Sequence, residues 1–129
     1  SGVLFSSLYL AGAKGIPPKR ELMPEDIAIL FERGLATIKE RGKARIGDKT
    51  MVDALEPAVD AMLASAGMGM LPMLQAAEEA AARGVAATKG YIARFGRAKS
   101  LMERAVGHQD AGATSVWIIL RSMREYAES

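Results

Sequence analysis

The stretch "AAEEAAARGVAATKGYIARF", residues 76–95, is dominated by alanine and other residues that favour helices. It predicts one long helix, from about Met73 to Phe95, with many small side chains along it. Small side chains let a neighbouring helix approach closely, although Gly84 and Gly90 each cost about 1 kcal/mol relative to alanine. We therefore expect a long helix that packs closely against a neighbour.

Apolar residues recur at helical spacing on both sides of this segment, while the β-branched and aromatic residues that strands prefer are few. No strand is predicted. The other predicted helices run from about Gly2 to Ala13, from Pro24 to near Gly42, from about Lys49, and from about Ala113 to Glu128, with one short helical turn allowed in residues 96–110. The chain is therefore predicted to be an all-α domain of five or six helices.

The same spacing predicts which side chains face the core. The expected core positions are Ile27, Leu30, Phe31, Leu35 and Ile38 in the second helix, Val52, Leu55, Val59 and Leu63 in the third, and Val116, Ile119, Leu120 and Met123 in the last. At the start of the third helix, Thr50 and Asp53 stand at capping-box spacing, or Asp48 itself is the cap.

Length and composition limit the classes of protein to consider. The 129 residues suffice for one domain, and 17 basic against 15 acidic residues give a net charge of +2, which does not indicate nucleic-acid binding. The absence of cysteine excludes disulfides and thiolate metal sites, and cytoplasm is the default expectation. The apolar residues 1–15 lack a basic leading region and are too short for a membrane span, so neither a signal peptide nor a membrane partner is expected.

Three loops carry more glycine and charge than a helix connector needs: "RGKARIGDKTMVD" at 41–53, "FGRAKS" at 95–100 and "GHQDAGATS" at 107–115. Free backbone N–H groups at a helix start suit an anion, and glycine allows close approach of a ligand. Each loop also has a simpler interpretation as a turn with a helix cap or as solvated charge, and the single histidine, His108, is more often a hydrogen-bonded loop residue than a catalyst. The residues alone predict three loops that could gather to hold an anion.

Three motifs, "GDKTMVDAL.PAV", "AATKGYIARFGRA" and "RAVGHQDAGATS", closely resemble in this order and spacing the nucleotide-binding L subunit of dihydroxyacetone kinases. The resemblance extends to "SGVLFSSLYLAGAKG" at the beginning. It implies an antiparallel, barrel-like bundle of amphipathic helices that holds ADP or ATP at one end through two Mg²⁺ ions. A small ketose such as dihydroxyacetone would be phosphorylated on a separate K subunit or domain, and in many bacteria a phosphotransferase-system protein rephosphorylates the bound ADP.

The resemblance also implies which residues hold the nucleotide. They are Ser1, Gly42, Met51, Arg97, Asp110, Ala111 and Gly112. The last three replace the family's usual Asp-Pro-Gly loop, and alanine in the proline position should preserve backbone contacts while losing rigidity.

The family's magnesium ligands belong to a Gly-Asp-Gly-Asp type motif that this sequence does not contain, so no metal ligand and no catalytic residue is assigned. Residues 1–129 are interpreted as the carboxyl-terminal part of one L-type domain that lacks its metal-binding segment, expected to bind nucleotide poorly and to transfer no phosphate by itself. A non-catalytic helical interaction or regulatory module is the alternative. The phosphate donor, the ketose and the oligomeric state stay open, and a homo-oligomer is compatible with the sequence.

Overall fold

The computed structural model describes residues 22–91 and 108–129, which contain helices and no strand. The four α-helices in these ranges are α1 (Pro24–Gly42), α2 (Val52–Ser65), α3 (Met70–Ala87) and α4 (Ala111–Glu128), and short 3₁₀ turns follow α2 at Ala66–Met68 and α3 at Thr88–Gly90. The predicted all-α class is confirmed. The helix predicted from about Gly2 to Ala13 lies outside the described residues.

None of these four helices is long and apolar enough to cross a membrane.

Consecutive helices run antiparallel, as contacts between their ends demonstrate. Lys39, near the end of α1, forms an ion pair with Glu56, near the start of α2. Gly84, near the end of α3, lies against Asp53 in the first turn of α2. The end of α3 in turn lies beside the start of α4. The antiparallel arrangement implied by the family resemblance is therefore present in the described helices.

The core lies between all four helices, and α2 contacts each of the other three. Its buried apolar side chains are Val52, Ala54, Leu55, Ala58, Val59 and Met62. The buried side chains of α1 agree with the predicted face at Ile27, Phe31, Leu35 and Ile38, and Leu30 packs at the margin. In α4 the predicted Val116 and Leu120 are buried and Met123 is partly buried.

Two predicted core positions are wrong. Leu63 is 45% exposed because it lies on the rim of an open groove between α1 and α2. Ile119 is 41% exposed, since the buried stripe of α4 passes through Val116 and Leu120 with Trp117, rather than Ile119, packed on its flank. In both cases the helical period is predicted correctly. The stripe that the neighbouring helices actually cover is narrower than the predicted buried face or rotated from it.

The start of α3 lies earlier than predicted. The helix begins at Met70, after Gly69, whose φ of 110° is a backbone conformation that glycine adopts readily. Pro72 falls in the first turn, where a missing N–H leaves no intrahelical hydrogen bond unmade. Pro72, which lies just before the predicted start at about Met73, therefore belongs to the helix.

The end of α3 also differs from the prediction of a helix through Phe95. The chain tightens into the 3₁₀ turn Thr88–Gly90, and Tyr91 is extended, with φ −96° and ψ 148°. The hydroxyl of Thr88 donates to the carbonyl oxygen of Val85 at 2.6 Å, a local bond that competes with helix continuation, and Gly90 is a poor helix former. The prediction is wrong at this point, and residues 92–95 lie outside the described residues.

The helices α2 and α3 approach most closely at Gly84. A Cβ added there would overlap the carbonyl oxygen of Asp53 and would lie 2.9 Å from the Cα of Ala54. Only a residue without a side chain fits this contact. The expectation that small residues in this helix admit a close neighbour is confirmed.

The start of α2 is held by Asp53. Its two carboxylate oxygens accept hydrogen bonds from the backbone N–H of Gly47 at 2.6 Å and of Thr50 at 2.8 Å. The hydroxyl of Thr50 accepts from the N–H two residues later. Asp48 accepts instead from the N–H of Arg45, so the alternative of Asp48 as the cap is wrong. Thr50 and Asp53 are hydrogen-bonded at the predicted spacing, in the turn that leads into the N-cap residue Met51.

We predict that Gly84→Ala lowers the free energy of unfolding by about 3 kcal/mol, because α2 and α3 must separate to admit a methyl group. Urea denaturation measures this change. Gly67→Ala is the matched control, since a Cβ at Gly67 meets nothing within 4 Å, and it should be close to neutral. Equal stability of the two variants would contradict the tight contact.

We predict that Asp53→Asn lowers the free energy of unfolding by about 1–3 kcal/mol, because one of two backbone N–H groups loses its acceptor.

Burial raises the pKa of Asp53 above the ordinary 3.8. The charge of Asp110 raises this pKa further, and hydrogen bonds from backbone N–H groups oppose the rise. Since the folded state keeps this proton to higher pH, wild-type stability falls as pH rises from 3.8 through the raised pKa.

The difference in unfolding free energy between wild type and Asp53→Asn should therefore shrink as pH rises through this window. Urea denaturation over a pH series checks the trend, and Asp60→Asn, at an exposed position of the same helix, controls for loss of a carboxylate. A difference that grows with pH would contradict the raised pKa.

Candidate functional site

Two of the three loops singled out in the sequence meet at one end of the bundle. Residues 43–51, between α1 and α2, and residues 108–110, before α4, both bond to Thr88 or to each other at the end of α3. The third loop, 95–100, lies outside the described residues. Glycine-containing segments that are distant in sequence are therefore brought together.

Lys49 connects these segments from within the protein. It is 3% exposed, and its Nζ donates to the carbonyl oxygen of Thr88 at 2.6 Å and to the carbonyl oxygen of His108. Its backbone is left-handed, with φ 60°. One side chain thus links the start of α2, the end of α3 and the loop before α4.

Thr88 and Asp110 form a second link between α3 and α4. The N–H of Asp110 donates to the hydroxyl oxygen of Thr88 at 2.8 Å, and Thr88 is fully buried. The Asp110 carboxylate accepts from the N–H of Ala113 at 2.9 Å, which makes Asp110 the N-cap of α4. The last helix consequently begins at Ala111, slightly earlier than the predicted Ala113.

Met51 and Gly112 lie against each other where the loops meet. Met51 is 4% exposed, and a Cβ added to Gly112 would lie 3.5 Å from both the Cβ and the backbone N of Met51 and 3.1 Å from an Asp110 carboxylate oxygen. A side chain at Gly112 would therefore crowd the Asp110 carboxylate and come into contact with Met51. Four of the residues implied by the family resemblance, Met51 and 110–112, are brought together here.

The first turn of α4 contains backbone N–H groups that have no acceptor among the described residues. Asp110 accepts from the N–H groups of Ala113 and Thr114, while those of Ala111 and Gly112 have no acceptor among the described residues. Ala111 is exposed and Gly112 is half-buried. Unpaired N–H groups at the positive end of a helix suit an anionic or polar ligand.

The charges at this end are mixed. Asp53 and Asp110 are near enough that the charge of Asp110 raises the pKa of Asp53, after the larger effect of burial. Within residues 22–91 and 108–129, no three His, Cys, Asp or Glu side chains are grouped closely enough to hold a metal ion. The described residues offer an apolar wall, one buried cation and free backbone donors.

The remaining residues implied by the resemblance are less closely tied to this cluster. Gly42 is the last residue of α1, half-buried, and it leads directly into the loop that carries Lys49 and Met51. Ser1 and Arg97 lie outside the described residues. His108 is exposed, and among the described residues its backbone oxygen accepts a hydrogen bond from Lys49.

Sequence reasoning missed Lys49 and Thr88. The sequence pattern places Lys49 as a basic residue at a helix start and Thr88 in the interior of a helix. The "TKG" that follows α3 was a usable signal for a helix end, because threonine and glycine both weaken a helix. Nothing in the spacing of Lys49 signals a buried ammonium group.

A separate open groove of about 290 Å³ lies between α1 and α2. Its walls are Glu32, Leu35, Ala36 and Lys39 from α1 and Glu56, Val59, Asp60 and Leu63 from α2. It contains none of the residues that the resemblance assigns to a nucleotide. The presence of a groove therefore does not by itself identify the candidate nucleotide site.

Comparison with known proteins matches residues 1–125 to the model of the DAK2 domain. The chain is 36% identical over 125 residues to the ADP-binding subunit DhaL of the PEP-dependent dihydroxyacetone kinase of Escherichia coli, covering 95% of the chain and 60% of the relative. It is 33% identical over 126 residues to the corresponding subunit of kinase 2 of Listeria innocua, covering 97% and 58%.

A third relative is the L-erythrulose 1-kinase of Mycolicibacterium smegmatis, 36% identical over 127 residues that cover 98% of the chain and 22% of the relative. The chain thus spans less than two thirds of the length of each of these relatives. The family model nevertheless covers nearly all of the chain, and the motifs that meet at the loop end lie within the match. The chain belongs to the DAK2 domain family, and it is similar to the ADP-binding subunits of dihydroxyacetone kinases.

Proposed function

We propose that the chain is the nucleotide-binding part of a dihydroxyacetone-type kinase and that ADP or ATP binds where residues 43–51 meet residues 108–112. One observation carries the proposal: Met51 lies against Gly112, beside the Asp110 cap of α4. These residues come from two distant motifs, and the resemblance assigns both to the nucleotide. If the starts of α2 and α4 packed together for stability alone, there would be no reason for both to carry residues that the resemblance assigns to the nucleotide.

Each residue has a proposed role that its surroundings support. Met51 supplies an apolar wall, and Gly112 keeps the adjoining wall thin, since a side chain there would meet Met51. The N–H groups of Ala111 and Gly112 are available to polar atoms of the nucleotide. Gly42, Ser1 and Arg97 complete the proposed pocket, with Arg97 as its cationic side chain.

The proposed reaction is phosphoryl transfer to a small ketose that a partner K subunit or domain holds. Mg²⁺ would supply charge neutralisation on the phosphates. We assign it no ligand among the described residues, where no three ligating side chains are grouped. The residues of this chain would bind and orient the nucleotide.

The relatives indicate the setting of this reaction. The Escherichia coli and Listeria innocua subunits are named as parts of PEP-dependent kinases, which makes a phosphotransferase-system phosphocarrier a proposed second partner. ATP as direct donor is the other route, and an erythrulose-type acceptor is suggested by the third relative. We place residues 1–129 in one L-type domain that acts in the cytoplasm in dihydroxyacetone and glycerol metabolism.

Calorimetry of the full-length protein tests the proposal. ADP should bind in the presence of Mg²⁺ and bind weakly without it. Gly112→Val should reduce ADP affinity by at least about tenfold, because its side chain presses on Met51 and Asp110. Gly67→Val, at a position with open space, is the control. Absence of ADP binding by the wild type with Mg²⁺ would remove the nucleotide function.

Arg97→Ala should weaken ADP binding by at least about 1 kcal/mol, the loss expected for a hydrogen bond from a charged group. The same calorimetric titration measures it. Arg83→Ala, at an exposed position of α3, removes an equal charge and should leave the affinity unchanged. Equal affinity of the two variants would remove Arg97 from the site.

A further inference from the structure

Lys49 is an unusual residue because its ammonium group is buried. The residue is 3% exposed, and both of its hydrogen-bond acceptors are backbone carbonyl oxygens, of Thr88 and His108. Within the described part of the chain it forms no ion pair with a carboxylate. A buried cation without a counter-charge is unfavourable, so its presence calls for a compensating role.

The backbone of Lys49 is unfavourable as well. Its φ of 60° is left-handed, a conformation uncommon for residues other than glycine and asparagine. The preceding Gly47, with φ 99°, has a conformation that its lack of a side chain permits. Two unfavourable features therefore coincide at one residue, at the point where three chain segments meet.

The links of Lys49 lead to both halves of the proposed nucleotide pocket. Along the chain, Lys49 stands two residues before Met51, and His108 stands two residues before Asp110. Across space, Lys49 and Asp110 are both bonded to Thr88, one to its carbonyl oxygen and one to its hydroxyl oxygen. Moving the Lys49 ammonium would release the loop before α4 from the loop before α2.

We propose that Lys49 is a positioning residue: its buried ammonium group fixes residues 108–112 against Met51, so that the nucleotide pocket is formed before the nucleotide arrives. The inference rests on the proposed function. In this role Lys49 touches the loop backbone rather than the ligand. Preorganisation of this kind increases affinity because the loop loses no further freedom on binding.

If Lys49 only stabilised the fold, the ADP affinity of its variants would fall in step with their stability. If Lys49 positions the loop, ADP affinity and stability change independently. Lys49→Met keeps an unbranched side chain of nearly the same length and the left-handed backbone but removes the hydrogen bonds to Thr88 and His108. Lys49→Gly removes the same bonds and relieves the backbone, but it also empties the buried space of the side chain, so its thermal midpoint should differ from that of Lys49→Met. Both variants should bind ADP with Mg²⁺ about tenfold more weakly than wild type.

The control is Arg124→Met in the full-length protein. Arg124 pairs with Glu78 and Glu128, which lie along α3 and α4 away from the loop end, so this variant also replaces a cation by methionine and removes hydrogen bonds. Its thermal midpoint should fall, while its ADP affinity stays within about twofold of wild type. The measurements are calorimetric titration, thermal unfolding and hydrogen exchange.

Hydrogen exchange without nucleotide gives a readout that does not depend on binding. The amides of Asp110 and Ala113 donate to Thr88 and to the Asp110 side chain, and both should exchange about tenfold faster in the two Lys49 variants only. Unchanged exchange, or ADP affinities that follow the thermal midpoints across all three variants, would overturn the proposal. If wild type binds no ADP, the proposed function fails, and the exchange data still report whether Lys49 holds the loop.

Discussion

The contact between Gly84 and the backbone of Asp53 is the constraint on which the rest of the described structure depends. At this point α3 lies so close to α2 that a methyl group would overlap a carbonyl oxygen. The register of the two helices is thereby fixed to within one residue. Thr88 lies one helical turn after Gly84 and consequently lies beside the loop that precedes α2.

Polar groups at this end of the bundle are satisfied by one another once that register is set. Asp53 accepts from the loop before α2, Thr88 accepts from the loop before α4, and Lys49 donates to both sides of the junction. None of these side chains has much access to water, since all three are 3% exposed or less. In a medium of low polarity each missing partner would be costly, so the groups are held as a set.

Much of the helical architecture could be predicted from the sequence, because the period of apolar residues reflects a helix's own geometry. The buried positions Phe31, Leu55 and Val116 follow from that period alone, and the start at Pro24 follows from proline's fit to a first turn. The exposure of Leu63 could not be predicted in the same way. The width of the buried face of a helix depends on the shape and position of the helices packed against it. The apolar pattern of that helix alone does not contain this information.

The candidate site was predictable in part and for a different reason. The family motifs single out Met51 and Gly112, and the fold brings these two residues into contact. The burial of Lys49 left no trace in the pattern, because lysine beside a loop glycine is ordinarily solvated. A side chain whose partners are backbone carbonyls leaves no sequence signature in those partners, since every residue has a carbonyl.

The backbone of Asp110 bears on Ala111, which stands where the family resemblance implies a proline. Asp110 has φ −72° and ψ 135°, an extended conformation of the kind that a following proline favours, and Ala111 opens α4, where proline fits well. The folded loop is therefore the same with either residue. What differs is the disordered chain: alanine leaves it more conformations, so folding the loop costs about 0.4–1 kcal/mol more. The substitution changes how firmly the loop is held and leaves its shape intact.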